Sequence, residues 1–248
     1  MLTSNLHLVR DARADASVAT ELADFNGIFC KQPLEHAHSG QILFFERDPA
    51  KHVFSLVEGH LRICRLLSDG RRVITGFLRS GDAVGVSFKN RYLYSAEAID
   101  EVAFRRVTKR SFEEELVASP QLRPLVFSRV CDEVAAAQDQ MVLLSCKSAE
   151  ERLASFLLHQ LRSDEAHGGL RGVVMLPMTR LDIADYLGLT IETVSRTVTK
   201  LSSKGIISVY GRHGIKILNR TGLAYQAGEY EDDNDADDSR TVIANRHH

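Results

Sequence analysis

Apolar positions in the first half of the chain come in short runs separated by turn residues. From about Leu34 to Val107 the runs ILFF (Ile42–Phe45), VFSLV (Val53–Val57), LRICRLL (Leu61–Leu67) and VITGFL (Val73–Leu78) alternate with HSG, RDP, EGH, SDG and RSGD. Short runs bounded by Gly, Pro, Asp and Ser predict strands. Their close spacing predicts a small antiparallel barrel or jelly roll. Residues 1 to about 25 are weakly patterned and predict loop with a short helix.

The period then changes. Ser119-Pro120 and Pro124 open a segment without Gly or Pro until Gly168. Within it Val134, Ala137, Met141 and Leu144 recur at intervals of 3, 4 and 3, a heptad-like seam along one helix face. A helix from Pro124 to Cys146 would run about 35 Å at about 1.5 Å per residue. That exceeds what a small roll covers, so the seam predicts a homodimer; the alternative is packing on its own roll. Ser148 and Glu151 have capping-box spacing and start a second helix with Leu153, Leu157 and Leu161 on one stripe. Ser163 to Gly172 reads as a linker or loop.

Thr179 and Asp182 form another cap pattern, starting a short helix with Ile183 and Leu187 on its inner face. Gly188-Leu189-Thr190 supplies a tight turn, and a further helix runs from Ile191 to about Lys204, ending near Gly205. Helix, short Gly-containing turn, helix is the helix-turn-helix pattern. At about 100° per residue with Glu192 at 0°, Arg196 falls at about 40°, Thr199 at about 340° and Ser195 at about 300°. Val194, Val198 and Leu201 fall at about 200°, 240° and 180°. The apolar arc can pack on Ile183 and Leu187, leaving the polar arc for a DNA major groove. There Arg donates to guanine, Glu accepts from cytosine, and Ser does either. Thr193, Thr197 and Lys200 lie at the margins and suit phosphate contacts, as do Thr179 and Arg180 at the start of the preceding helix. Ile206 to Tyr210, Gly211 to Gly214 and Ile215 to Leu218 read as a hairpin, making a wing with Arg212 and His213 at its tip. A solvated amphipathic helix is the plain alternative; the turn, the neighbouring helix and the local charge favour DNA reading.

Charge sharpens this picture. The whole chain carries -2, but residues 177–220 hold seven basic residues against three acidic ones, a balance of +4. An acidic stretch, EYEDDNDADD, begins at Glu229 and reads as a solvated, disordered tail. No apolar run approaches the length of a spanning helix. Arg10, Asp11, Arg13 and Asp15 interrupt the first twenty residues, so no secretory leader is expected and the cytoplasm is. Cys30, Cys64, Cys131 and Cys146 are far apart, without the CxxC spacing of zinc or iron–sulfur sites. They are expected to be buried small hydrophobes, with thiol redox sensing as the alternative.

The segment MTRLDIADYLGLTIETVSRTVTKLSSKGII, Met178 to Ile207, resembles the winged helix of the CRP/FNR superfamily. Its ETVSR, Glu192–Arg196, resembles the E-x-x-S-R motif of the FNR branch; Ile191 and Ser195 stand where the CRP branch has Arg and Gly. The resemblance extends over about Leu34 to Leu218. It implies base contacts by Glu192, Ser195 and Arg196, and a TTGAT inverted repeat as the target. FNR proper holds an iron–sulfur cluster on closely spaced N-terminal cysteines; here only Cys30 lies near the start. Cyclic-AMP-binding members place Glu after G-D-x-x-G and then an Arg-Ser pair. Here Gly81-Asp82-Ala-Val-Gly85 is followed by Val86, and Tyr94 precedes Ser95. Without the Arg a cyclic phosphate lacks its charge-assisted partner. The remaining resemblance is to cluster-free regulators of the FixK type, with no cofactor.

An enzyme reading rests on His36 and His38, which resemble the H-x-H of cupin metal sites. The next acid, Glu46, is too far along, so no metal and no catalytic residue are assigned, and the chain is not read as an enzyme. The expected layout is α+β: a β-roll over 1–118, a dimerisation helix over 119–147, a winged helix-turn-helix over 148–220 and an acidic tail over 221–248. The expected function is a homodimeric regulator on double-stranded DNA, an activator contacting RNA polymerase in microaerobic, anaerobic or nitrogen-fixation control, without a membrane partner. The alternative is a CRP-like regulator or repressor responding to a small effector or thiol oxidation.

Overall fold

The computed structural model describes residues 27–87 and 90–229. The weakly patterned first 25 residues and the acidic run after Glu229 lie outside these. The described chain divides into two compact units, meeting in sequence at Gln140 and Met141.

The described residues of the first unit form a roll of eight strands: β1 (Glu35–Ala37), β2 (Ile42–Phe44), β3 (His52–Glu58), β4 (Leu61–Leu66), β5 (Arg72–Leu78), β6 (Ala83–Val84), β7 (Ser95–Ala98) and β8 (Val102–Thr108). They form two antiparallel sheets, ordered β1-β8-β3-β6 and β2-β7-β4-β5. Successive side chains on a strand point to opposite faces. Phe54 and Leu56 of β3 and Phe104 of β8 therefore share one core with Phe44, Leu61 and Ala96 of the other sheet. Val53, opposite Val107 in register, faces the other way. That second face is covered by α1 (Lys109–Ala118) through Phe112, and by Val126. Coverage on both faces explains why Val53, Phe54, Ser55 and Leu56 are buried without alternation; Val57, at the end of the run, is exposed. The sequence pattern did not separate α1 from the roll. Its start is capped by Thr108, whose hydroxyl accepts the Ser111 N–H at 3.1 Å.

Helix α2 runs from Leu122 to Cys146 and begins two residues before Pro124. Proline is tolerated there because first-turn amides have no helical acceptor. Leu122 and Val126 are its buried residues. From Phe127 to Asp139 every residue of α2 is exposed, including Val134 at 53% and, at the start of this stretch, Phe127 at 70%.

The second unit contains α3 (Ala149–Ala166), β9 (Val173–Met175), α4 (Arg180–Leu187), α5 (Ile191–Ser203), β10 (Ile207–Tyr210), β11 (Gly214–Ile217) and α6 (Arg220–Ala227). The hairpin β10-β11 gains β9 as a third antiparallel strand. Leu153, Leu157 and Leu161 of α3 are buried, with Leu187, Leu201, Ile207 and Leu223 from the other elements.

Three expectations need correction. Ser163 to Ala166 is not linker but the last turn of α3, whose cap at His167 returns its N–H to Ser163, Asp164 and Glu165 carbonyls. Residues 221 to 227 are not tail. They belong to α6, where Asn219 caps the start, Gly228 takes the left-handed conformation at the end, and Leu223 and Ala227 are buried. Of the cysteines only Cys64 is buried; Cys30, Cys131 and Cys146 are exposed. Apolar neighbours in sequence do not bury a residue on the outer face of a helix. Among the described residues no helix is long and apolar enough to cross a membrane.

Candidate nucleic-acid interface

The interface is built on α4, the turn Gly188–Thr190, and α5. Thr179 and Asp182 cap each other. The Thr179 hydroxyl accepts the Asp182 N–H at 3.1 Å, and the Asp182 carboxylate accepts the Thr179 N–H at 3.0 Å and its hydroxyl at 2.7 Å. Asp182 is buried while Thr179 is exposed, so the cap sits at the edge of the fold with its carboxylate inside. Gly188 ends α4 with φ +61°, a conformation that side chains with a Cβ rarely adopt. Thr190 then caps α5, accepting the Thr193 N–H at 3.2 Å.

On α5 the buried residues are Val194, Thr197, Val198 and Leu201. Glu192, Arg196, Thr199 and Lys200 are exposed, and Ser195 is half-buried between the arcs. Two hydrogen bonds hold the Glu192 carboxyl below its ordinary range: its own backbone N–H is the largest cause, then the Thr190 hydroxyl, with the Arg196 charge a smaller contribution. Glu192 is therefore an ionised acceptor at neutral pH, one turn from the Arg196 donor.

Among the backbone-contact candidates, Thr197 is corrected. It is only 5% exposed and its hydroxyl donates to the Thr193 carbonyl at 2.8 Å. At about 140° it borders the apolar arc, and the packed side of the helix reaches that far. Thr193 is half-buried with its hydroxyl 3.0 Å from that of Thr190. Thr179 spends its hydroxyl on the cap. Arg180 is exposed on the first turn of α4, and Arg212 and His213 are exposed at the β10-β11 tip. Lys200 is exposed but engaged: its ammonium is hydrogen-bonded to the Glu150 carboxylate of α3. Lys204 bonds the same carboxylate at 3.0 Å and Gln226 at 2.8 Å. Glu150 is a participant that sequence reading missed, because 50 residues separate it from Lys200.

The seam candidates on α2 are exposed: Val134, Ala137, Met141 at 65% and Leu144 at 37%. Phe127 and Val130 extend the same 3-4 repeat backward and are exposed too. They were legible in the sequence as further members of the heptad.

In the roll, Tyr94 stands near Gly85, whose backbone amide hydrogen-bonds its phenol; burial, with a smaller contribution from the Glu133 charge, pushes the phenol up to about 12. His38 bonds Glu101 at 2.9 Å and Glu46 bonds Arg65 at 2.9 Å. Among the described residues no three His, Cys, Asp or Glu side chains are grouped to hold a metal ion.

Comparison with known proteins gives the same two modules. Residues 151–225 match the Crp-like helix-turn-helix domain family, and residues 34–119 match the cyclic nucleotide-binding domain family. The nitrogen fixation regulation protein FixK of Bradyrhizobium diazoefficiens is 38% identical over 225 residues, covering 88% of this chain and 93% of that protein. The fumarate and nitrate reduction regulatory protein of Escherichia coli is 32% identical over 200 residues, covering 80% and 78%. The solved structure of FixK2 from Bradyrhizobium japonicum superposes with a TM-score of 0.74 at 35% identity, covering 79% of this chain and 96% of that one. The chain therefore belongs to the CRP/FNR family of DNA-binding transcription regulators, in its FixK- and FNR-like branch.

Proposed function

We propose that this regulator binds, as a homodimer, an FNR-type palindrome of two TTGAT half-sites and activates transcription there. Glu192, Ser195 and Arg196 read base edges. Thr193, Lys200, Arg180 and Arg212 contact phosphates, and Thr179 holds the start of α4 against the backbone. The observation that carries this reading is the division of α5: Val194, Val198 and Leu201 are buried while Glu192 and Arg196 stand exposed one turn apart. A major groove admits a helix presenting such a face.

The homodimer is supported by the exposed apolar row Phe127, Val130, Val134, Ala137, Met141 and Leu144 on α2. Exposed apolar rows at heptad spacing are stabilised by a partner helix. Two reading helices then meet successive grooves about 34–36 Å apart on a palindrome. The relatives' names attach them to nitrogen fixation and to fumarate and nitrate reduction. Microaerobic or nitrogen-fixation control is the corresponding role here, exercised in the cytoplasm with RNA polymerase as partner and without enzymatic activity. Tyr94, where the phosphate-binding Arg of nucleotide-binding members would stand, favours operation without a cyclic nucleotide.

A gel-shift titration in air, without added nucleotide, tests this. The probe carries the TTGAT inverted repeat and the competitor is a scrambled duplex. Specific retardation is expected. Equal competition by both duplexes removes the reading.

A further inference from the structure

Within the second unit the C-terminal ends of three helices, the last turn of α2 among them, meet at one place. The last carbonyls of any helix lack intrahelical partners and carry partial negative charge. Here the carbonyls of Leu144 at the end of α2, Leu187 at the end of α4 and Ala227 at the end of α6 are all met by two cations. Arg152 of α3 donates from Nη2 to Leu144 at 2.9 Å, from Nη1 to Leu187 at 3.0 Å and from Nε to Lys147 at 2.9 Å. Lys147, in the corner between α2 and α3, donates to the Ala227 carbonyl at 2.9 Å and to the Ser155 hydroxyl at 2.7 Å.

The geometry of Arg152 decides what this junction does. A guanidinium is planar and rigid, and its donors leave it in fixed directions. Three of those directions are used, on two different helix ends. Apolar packing is non-directional and tolerates small rotations; aligned hydrogen bonds weaken steeply when bent. The angle between the last turn of α2 and the end of α4 is thus held by directional bonds. Helix α4 leads through Gly188 directly into α5. The turn itself lies against the junction: a Cβ on Gly188 would come 3.4 Å from Leu144 and 3.5 Å from the Arg152 Nη1.

We propose that Arg152, seconded by Lys147, is a positioning residue that sets the half-site spacing at which the two reading helices of a dimer fit DNA. It touches neither base nor phosphate in this role. The proposal rests on the dimeric reading above. It predicts a defect confined to paired half-sites, which damage to the helix-turn-helix itself would not give.

The test uses the full chain and fluorescence anisotropy on three duplexes: the TTGAT inverted repeat at its preferred spacer, the same repeat with one base pair added, and a single half-site. Arg152→Ala is expected to lose about tenfold or more on the preferred repeat, given the cost of hydrogen bonds from a charged donor. Its preference for the preferred over the lengthened spacer should shrink, while half-site affinity stays within about twofold on the same scale. Arg152→Lys, which keeps the charge but not the fork, should fall between it and the wild type, and Lys147→Met should move the same way. An undiminished spacing preference in Arg152→Ala, or an equal loss on the half-site, overturns the proposal. Should Arg152→Ala fail to fold by circular dichroism, Arg152→Lys decides, and wild-type spacing preference in it overturns the proposal. A wild-type protein indifferent to spacing overturns the dimeric reading as well, and is recognised before any variant is made.

Discussion

The Lys200 ammonium of α5 is hydrogen-bonded to the Glu150 carboxylate of α3, and Lys204 completes the site at 3.0 Å. Hydrogen bonds from Lys200 and then Lys204 hold the Glu150 carboxyl below its ordinary range. A lowered folded pKa means that the pairing stabilises the fold above the unfolded value of 4.5 and that this stability is lost as pH falls through the lower folded value. At neutral pH Glu150 is therefore charged and competes with phosphate for two cations of the reading helix. Glu150→Gln is expected to raise affinity for random duplex and steepen the salt dependence by up to about one to two counterions, measured as log K against log salt. The exposed pairing is worth at most about 1 kcal/mol, so a loss of unfolding free energy larger than that in urea denaturation would show another role.

Arg196→Ala separates base reading from charge. It should cost about 1–3 kcal/mol on the specific site and relax preference at one base pair per half-site. Lys200→Ala should weaken specific and random DNA alike and lower the salt slope by about one. Competition titrations with single-base variants of the palindrome check both. Equal effects of Arg196→Ala on specific and random duplexes would remove it as a base reader.

Glu192 gives a pH prediction. Its carboxyl lies below the ordinary range, so the charged acceptor present at neutral pH persists as pH falls toward about 5 and is lost only beneath the usual carboxylate value. Discrimination at its base pair should be flat over that interval. Glu192→Gln, which presents a donor beside its acceptor, should blunt that discrimination at every pH, read from the same titrations.

The cap between Thr179 and Asp182 is reciprocal, and its Asp182 carboxylate is buried. Asp182→Ala removes an acceptor for the Thr179 N–H and hydroxyl and should cost about 1–3 kcal/mol of stability, measured by urea denaturation. Thr179→Ala should cost about 0.5–2 kcal/mol. A neutral Asp182→Ala would mean that α4 is held by its apolar face alone.

Charge placed on the α2 row tests the dimer. Val134→Glu sets like charges against each other across a paired seam, and sedimentation should show a monomer that binds a half-site but not the palindrome. An undisturbed dimer would assign Phe127, Val134 and Met141 to another surface.

The sequence by itself determined what is local. The capping pairs Ser148–Glu151 and Thr179–Asp182, the turn at Gly188, the two arcs of α5 and the heptad of α2 each lie within a few turns of backbone, where helical period fixes which side chains are neighbours. The alternation of runs and turns was likewise enough for a roll. Tertiary structure decided the rest. Thr197 lies at the margin of two arcs, and only the width of the packed side shows that it is buried. Residues 221 to 227 have little periodicity of their own; α6 is fixed by burying Leu223 and Ala227 and by capping from Lys147, 80 residues earlier. Arg152 reaches Leu187 across 35 residues, and Lys200 reaches Glu150 across 50. An isolated Arg or Glu in a sequence carries no sign of its partner. Its role appears once packing has brought distant helix ends together and left their carbonyls without a donor.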